Sequence, residues 1–173
     1  MKISWLPFEL HPEAPIEGIP RETYFGRSRS LQMHDHLQSV AAEVGLVMKQ
    51  RDVIINTRLA LAAAEFARES GHFDAMHHAL FKAHWELTGR LEVVDDLVRI
   101  GTEVGLDGSA LREAIEDGRY AGVLDASRAD AEAAGINAIP AHVFGRRYLV
   151  VGAHPYETFV SVLERLGEPR ASS

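Results

Sequence analysis

Cysteine is missing from all 173 residues. Its absence excludes disulfides, thiolate metal sites, iron–sulfur clusters and any cysteine-based catalytic cycle carried by this chain alone, and it leaves the redox compartment open. Positive charge is also in short supply. Eighteen Lys and Arg stand against 25 Asp and Glu, a formal net charge of -7. The basic residues are scattered, as in the pairs Arg27/Arg29 and Arg146/Arg147. Binding to nucleic acid or to an anionic membrane needs clustered cations, so neither is expected as a partner. Long apolar runs are lacking too. The longest helical one, Leu59 to Ala64, is far short of the roughly 20 residues of a membrane span. The N-terminal apolar stretch holds one Lys and is broken by Pro7 and Glu9, unlike a signal peptide, so a cytoplasmic location is the expectation. Gly-x-Gly-x-x-Gly, Walker and Gly-x-Ser-x-Gly motifs do not occur, which leaves no sign of a nucleotide fold or a hydrolase elbow.

What remains is an ordinary soluble composition, 46% apolar and 25% charged, on a chain sized for one domain or one domain with an insertion. Ile3 and Trp5 alternate with Ser4 and Leu6, and Pro7 suits a strand edge, so residues 1–10 read as a strand. Pro12, Pro15, Gly18 and Pro20 mark a loop. From Ser28 to Ala134 the pattern is helical almost throughout. Met33, Leu37, Val40, Ala41 and Val44 stop at Gly45. Asn56 or Thr57 caps a helix ending near Gly71. Phe73, Met76, His77, Leu80, Phe81 and His84 form an amphipathic helix closing at Gly89. Val93 to Val104 close at Gly105, Asp107 or Ser109 caps a short helix with Leu111 and Ile115, and a last helix around Leu124 ends at Gly135-Ile136 in C-cap style. The period then changes to two. Ala141 to Phe144 and Tyr148 to Val151, around Gly145-Arg146-Arg147, read as a hairpin. Pro155 opens a final helix as its first residue, with Phe159, Val162, Leu163 and Leu166 on one face. The tail from Arg170 reads as frayed.

Nine histidines raise the question of metal. His34 and His36, two apart, face different ways on a helix. His77 and His84, seven apart, share the apolar stripe and would meet, with Asp74 beside His77. No His-Glu-x-x-His spacing is present, and core histidines are the commoner explanation, so no metal or other cofactor is expected. His142 stands where it would either approach a ligand or face solvent from a strand.

Two segments carry a family resemblance. Trp5-Leu6-Pro7-Phe8-Glu9-Leu10-His11-Pro12 is similar to the second thioredoxin strand and its proline-rich exit, and Ala133 to Pro155 resembles a cis-proline loop, hairpin and last helix. Asn56-Thr57, Ala62 to Ala64 and the Phe73 to Trp85 helix are similar to a helical insertion. Together they resemble the DsbA-like thioredoxin superfamily, in its FrnE-type branch next to the 2-hydroxychromene-2-carboxylate isomerases. The fold so implied is α/β, thioredoxin-like, with residues 1–27 and 136–173 as a partial thioredoxin domain and 28–135 as an all-helical insertion.

The resemblance implies a cis Ile139–Pro140 bond and a groove in which Ala138, Ile139, Pro140 and His142 meet a peptide or thiol substrate. The family's first strand and Cys-x-x-Cys helix would fall before Met1, and so would the serine of the isomerase relatives. Ala141-His142 also replaces the bulky or hydroxylated residue usual after the proline. The implied activity is protein-disulfide oxidoreduction, with no catalytic residue in these 173. The alternatives are a non-catalytic partner-binding protein or a relative of the glutathione-dependent isomerases. The missing strand would lie between Ile3–Leu10 and Ala141–Phe144. Either those two segments pair directly, or a symmetric dimer covers the gap through Trp5, Phe8, Val143 and the Phe159 to Leu166 helix. The dimer is the expected outcome, since direct pairing leaves an apolar face in water.

Thiol exchange needs a thiolate to attack sulfur. The purified chain is therefore expected to reduce or oxidise a model protein disulfide no faster than buffer, as followed by insulin turbidity. Catalysis above that control would overturn this reading.

Overall fold

Alanine decides how one helix packs against three others. Helix α3, counted in chain order, runs Arg58–Glu69 and buries Ala60, Ala62, Ala63, Ala64 and Ala67. Their small side chains let neighbouring backbones approach on more than one side. The computed structural model describes residues 2–167, which are mostly helical with two small sheets. Two compact units are present, Met1–Ser127 and Arg128–Ser173.

In the first unit, strand β1 (Ile19–Pro20) leads into α1 (Arg21–Phe25) and α2 (Arg27–Glu43). Strand β2 (Val53–Ile54) precedes α3, and then come α4 (Phe73–Glu86), α5 (Val94–Glu103) and α6 (Gly108–Glu116). Helix α7 (Ala121–Ala133) follows. Helix α3 packs on α4, α5 and α6. Met76, Leu97 and Leu111, from three different helices, are the largest fully buried side chains at the centre. Removing such apolar area from water is the main drive for the bundle. Asp107 caps α6, its Oδ1 accepting from the N–H groups of Ser109 at 2.9 Å and Ala110 at 3.0 Å. Those bonds satisfy donors that the first helical turn leaves free, and with the Ser109 hydroxyl they hold the Asp107 carboxyl below its usual range.

Helix ends follow the glycines in most places. Gly135 has φ 72°, and Ile136 N–H reaches back to Ala131 O at 2.8 Å, the bond a left-handed glycine permits after a helix. Gly89 is different. Helix α4 ends earlier, with Leu87 itself left-handed at φ 60°. Gly89 instead fills a tight place, where a Cβ would lie 3.2 Å from Ile100 and 3.3 Å from Ala83.

The expected strand at the N-terminus is not formed. Among the described residues of 2–10 no ladder is made, and the segment is fixed by side chains instead. Arg68 Nη2 donates to Trp5 O at 2.8 Å, Ser127 Oγ to Pro7 O at 2.6 Å, and Arg58 Nη1 to Glu9 Oε2 at 2.8 Å. A two-residue pairing, Ile19↔Ile54 and Pro20↔Val53, arises instead within segments that read as loop and helical block. Neither run is long enough to show period-two alternation. Helix α2 begins and ends within two residues of expectation, yet Met33, Leu37 and Val40 on it stay exposed while Ser30 and Ala41 are buried.

The second unit holds strands β3 (Ala141–Phe144) and β4 (Tyr148–Val151) and helix α8 (Tyr156–Arg165). The hairpin register is Ala141↔Val151, His142↔Val150, Val143↔Leu149 and Phe144↔Tyr148. Its turn places Gly145 and Arg146 at positive φ and closes with Arg147 N–H donating to Phe144 O at 3.0 Å. Pro155 is the residue before α8 rather than its first, because its extended ψ of 150° lies outside the helical range. No described residue of this unit is fully buried.

Glu9 is only 6% exposed and relies on Arg58 to neutralise it. Arg58→Ala is expected to cost about 3 kcal/mol in urea-induced unfolding, since it strands a buried carboxylate. Glu9→Gln, which removes the charge, should cost clearly less; equal losses would contradict this account.

Candidate functional site

Hairpin β3–β4 gives the candidate loop its footing. Gly152 N–H donates to Pro140 O at 2.7 Å, extending the ladder one step past Ala141 and fixing Pro140 to the strand that follows. The Ile139–Pro140 peptide bond is cis. Just before it, the N–H and C=O groups of Ala138 and Ile139 take part in no hydrogen bond among the described residues. Ile139 is 52% exposed, Pro140 is exposed and Ala138 half-buried. Two consecutive residues thus present free backbone on a rigid base. Such groups pair readily with an added extended chain. The outer edge of β3 is likewise unpaired, since β3 bonds only to β4 among the described residues.

His142 is turned inward within its unit. Its ring lies 4.9 Å from Phe159 on α8 in an edge-on contact and 6.3 Å from Phe144 in a stacked one. Phe144 and Phe159 close the trio at 6.1 Å. The Nδ1 atom is buried and has no partner among the described residues. His142, half-buried, therefore rests against aromatic side chains of its own unit rather than facing solvent. Sequence spacing gave no sign of Phe159, since the contact joins a strand to a distant helix.

The other histidines separate. His77 lies among Trp5 at 4.9 Å, Phe81 at 4.7 Å and Phe73 at 5.4 Å, and burial lowers its pKa. Arg68 sits over the Phe73 ring at 3.9 Å, a cation–π contact. His84 does not meet it. It packs edge-on against Trp85 at 4.7 Å, and burial, helped by Arg51 and Arg21 and opposed by Glu92, pushes its imidazole down to about 4. No group of three His, Asp or Glu suited to a metal occurs among the described residues, and none of the described helices is long and apolar enough to cross a membrane.

With this geometry established, comparison with known proteins is direct. The profile of the DSBA-like thioredoxin domain matches residues 1–164. The chain belongs to that family. It is 26% identical over 148 residues to the YwbO protein of Bacillus subtilis (strain 168), covering 84% of this chain and 72% of that one. A crystal structure of a probable DsbA oxidoreductase from Streptomyces coelicolor superposes with a TM-score of 0.81 at 25% identity, over 96% of this chain and 76% of the other. This member of the DsbA-like family has no cysteine in its 173 residues.

Neutral His84 has a consequence for stability. In the unfolded chain its pKa returns to about 6.5, so between pH 6.5 and about 4 the unfolded state binds more protons and the fold loses stability as pH falls. Urea unfolding at pH 7 and pH 4.5 should show a smaller drop for His84→Gln than for the wild type; identical drops would remove His84 from the cause.

Proposed function

We propose that this chain is a FrnE-type relative of the DsbA oxidoreductases that performs no thiol chemistry itself and binds an extended peptide along the loop before Pro140. In this reading residues 1–27 and 136–173 form the thioredoxin-like part and 28–135 the helical insertion. The observation that carries it is the free backbone of Ala138 and Ile139 beside the open edge of β3. A peptide laid there would pair its main chain with those groups and extend the β3 edge, which gives affinity with little dependence on sequence. Exposed Ile139 would supply an apolar contact for one side chain.

Homodimerisation belongs to the same proposal. The second unit buries none of its described side chains fully, and Val143 on β3 is 56% exposed. A two-stranded hairpin with one helix has too little core to stand well alone, and a second copy packed on its exposed apolar side chains would cover them symmetrically, leaving the β3 edge to the peptide. Trp5, Phe8, Val143 and the face of α8 are the residues assigned to that contact.

One labelled sample tests both parts. Addition of a cysteine-free, unfolded model peptide is expected to shift the amide resonances of Ala138, Ile139 and Val143, with the shifts lost in Ile139→Asp. Sedimentation of the same sample should report a dimer that Val143→Lys converts to monomer. Unmoved amides would end the peptide reading, and a wild-type monomer at tens of micromolar would end the dimer.

A further inference from the structure

Four buried polar atoms without partners converge in the first unit. They are Arg21 Nε, Arg51 Nε, His84 Nδ1 and Glu92 Oε2. The backbone draws them together. Arg21 N–H donates to Asp52 O at 2.9 Å, beside the Pro20↔Val53 pair, so Arg21 and Arg51 sit at the same end of the β1–β2 sheet. Lys49 N–H donates to Trp85 O at 2.8 Å, bringing that end against His84 at the close of α4. Arg51 Nη2 donates to Gly89 O, in the loop that leads to Glu92. His84 accordingly feels the charges of Arg51, Arg21 and Glu92 at once.

The charges do not cancel internally. Neither Arg21 nor Arg51 has an ion pair among the described residues, and the Arg21 guanidinium lies over the Phe25 ring at 5.7 Å. Glu92 pairs through Oε1 with Arg90 Nε at 3.2 Å, which leaves Oε2 free. Buried polar groups are nearly always satisfied, so several orphans in one place call for a shared partner.

We propose that Arg21, Arg51, His84 and Glu92 bind a small carboxylic acid that carries a hydroxyl or amino group next to its carboxylate. Guanidinium groups present planar donors matched to a carboxylate. A bare anion would satisfy the arginines and leave Glu92 Oε2 unmet and repelled. A hydroxyl or ammonium on the adjoining carbon donates to that oxygen. Doubly charged phosphate suits the site less, since it meets the negative Glu92 and offers no comparable donor. On the Glu92 side lies a cleft of about 190 Å³ lined by Ile16, Asn56, Arg58, Leu59 and Glu92. Its apolar residues, Ile16 and Leu59, would accept a short aliphatic substituent.

Glycolate, glycine, acetate and inorganic phosphate, each added at constant ionic strength, are the probes. Glycolate, glycine or both should move the His84 ring resonances saturably and raise the folded-to-unfolded ratio about 100-fold at 100 times the Kd. Which of the two binds distinguishes a hydroxy acid from an amino acid. Acetate should bind at least about tenfold more weakly, the effect expected when one hydrogen bond to a charged group is lost. Arg51→Gln should abolish the response. Should that variant fail to fold, Arg21→Gln, whose side chain makes no hydrogen bond among the described residues, reads the same loss. No saturable response to glycolate or glycine, a response that survives both arginine substitutions, or a response to acetate or phosphate as strong as that to glycolate or glycine would overturn the assignment.

Discussion

Arg58 is held between two carboxylates, and the arrangement of the first unit follows from it. Its Nη1 reaches Glu9 and its Nη2 reaches Asp125, both at 2.8 Å, and Nη2 also lies 3.4 Å from Ala121 O. Asn56, two residues before, accepts from Arg58 N–H at 2.9 Å and donates to Ala14 O at 2.7 Å. The start of α3 thus fastens the N-terminal segment and the start of α7 at once. Asp125 and Glu9 raise the Arg58 pKa. A buried carboxylate would cost more than it returns without this partner, so the ion pair secures a particular geometry more than it adds stability.

That clamp explains how an N-terminal segment without a ladder keeps a defined path. Carbonyls that a sheet would satisfy are met by Arg68 and Ser127 instead, which answers where those backbone acceptors go. The second unit solves a different problem less completely. Its hairpin is well registered, and the His142, Phe144 and Phe159 rings give it an aromatic contact. One edge and the backbone of Ala138 and Ile139 are left open. Openness of this kind is a liability in a structural element and a resource in a binding one.

The two candidate contacts differ in kind. At Pro140 the available groups are main-chain, so a partner would be read by its extended shape. Around His84 they are side-chain charges of both signs, so a ligand would be read by the placement of its own charge and donor. Family membership bears on the first and is silent on the second, because a shared fold does not carry a site with it.

By itself the sequence determined the helices, the hairpin and the family. The bundle's apolar residues recur at helical spacing, Asp107 is a residue type that caps, Gly45, Gly105 and Gly135 stop helices, and Gly145-Arg146-Arg147 separates two alternating runs. These are local signals, each decided within a few residues by backbone sterics and burial. The zero cysteine count was equally plain. Tertiary structure alone decided that 2–10 would be tied by side chains rather than by a ladder, and that Ile19–Pro20 would pair with Val53–Ile54. It also turned His142 toward Phe159, parted His77 from His84, and gathered Arg21, Arg51 and Glu92 around the latter. Each joins residues far apart in the chain. Their contact depends on which surfaces packing brings together, and no periodicity along the chain records that.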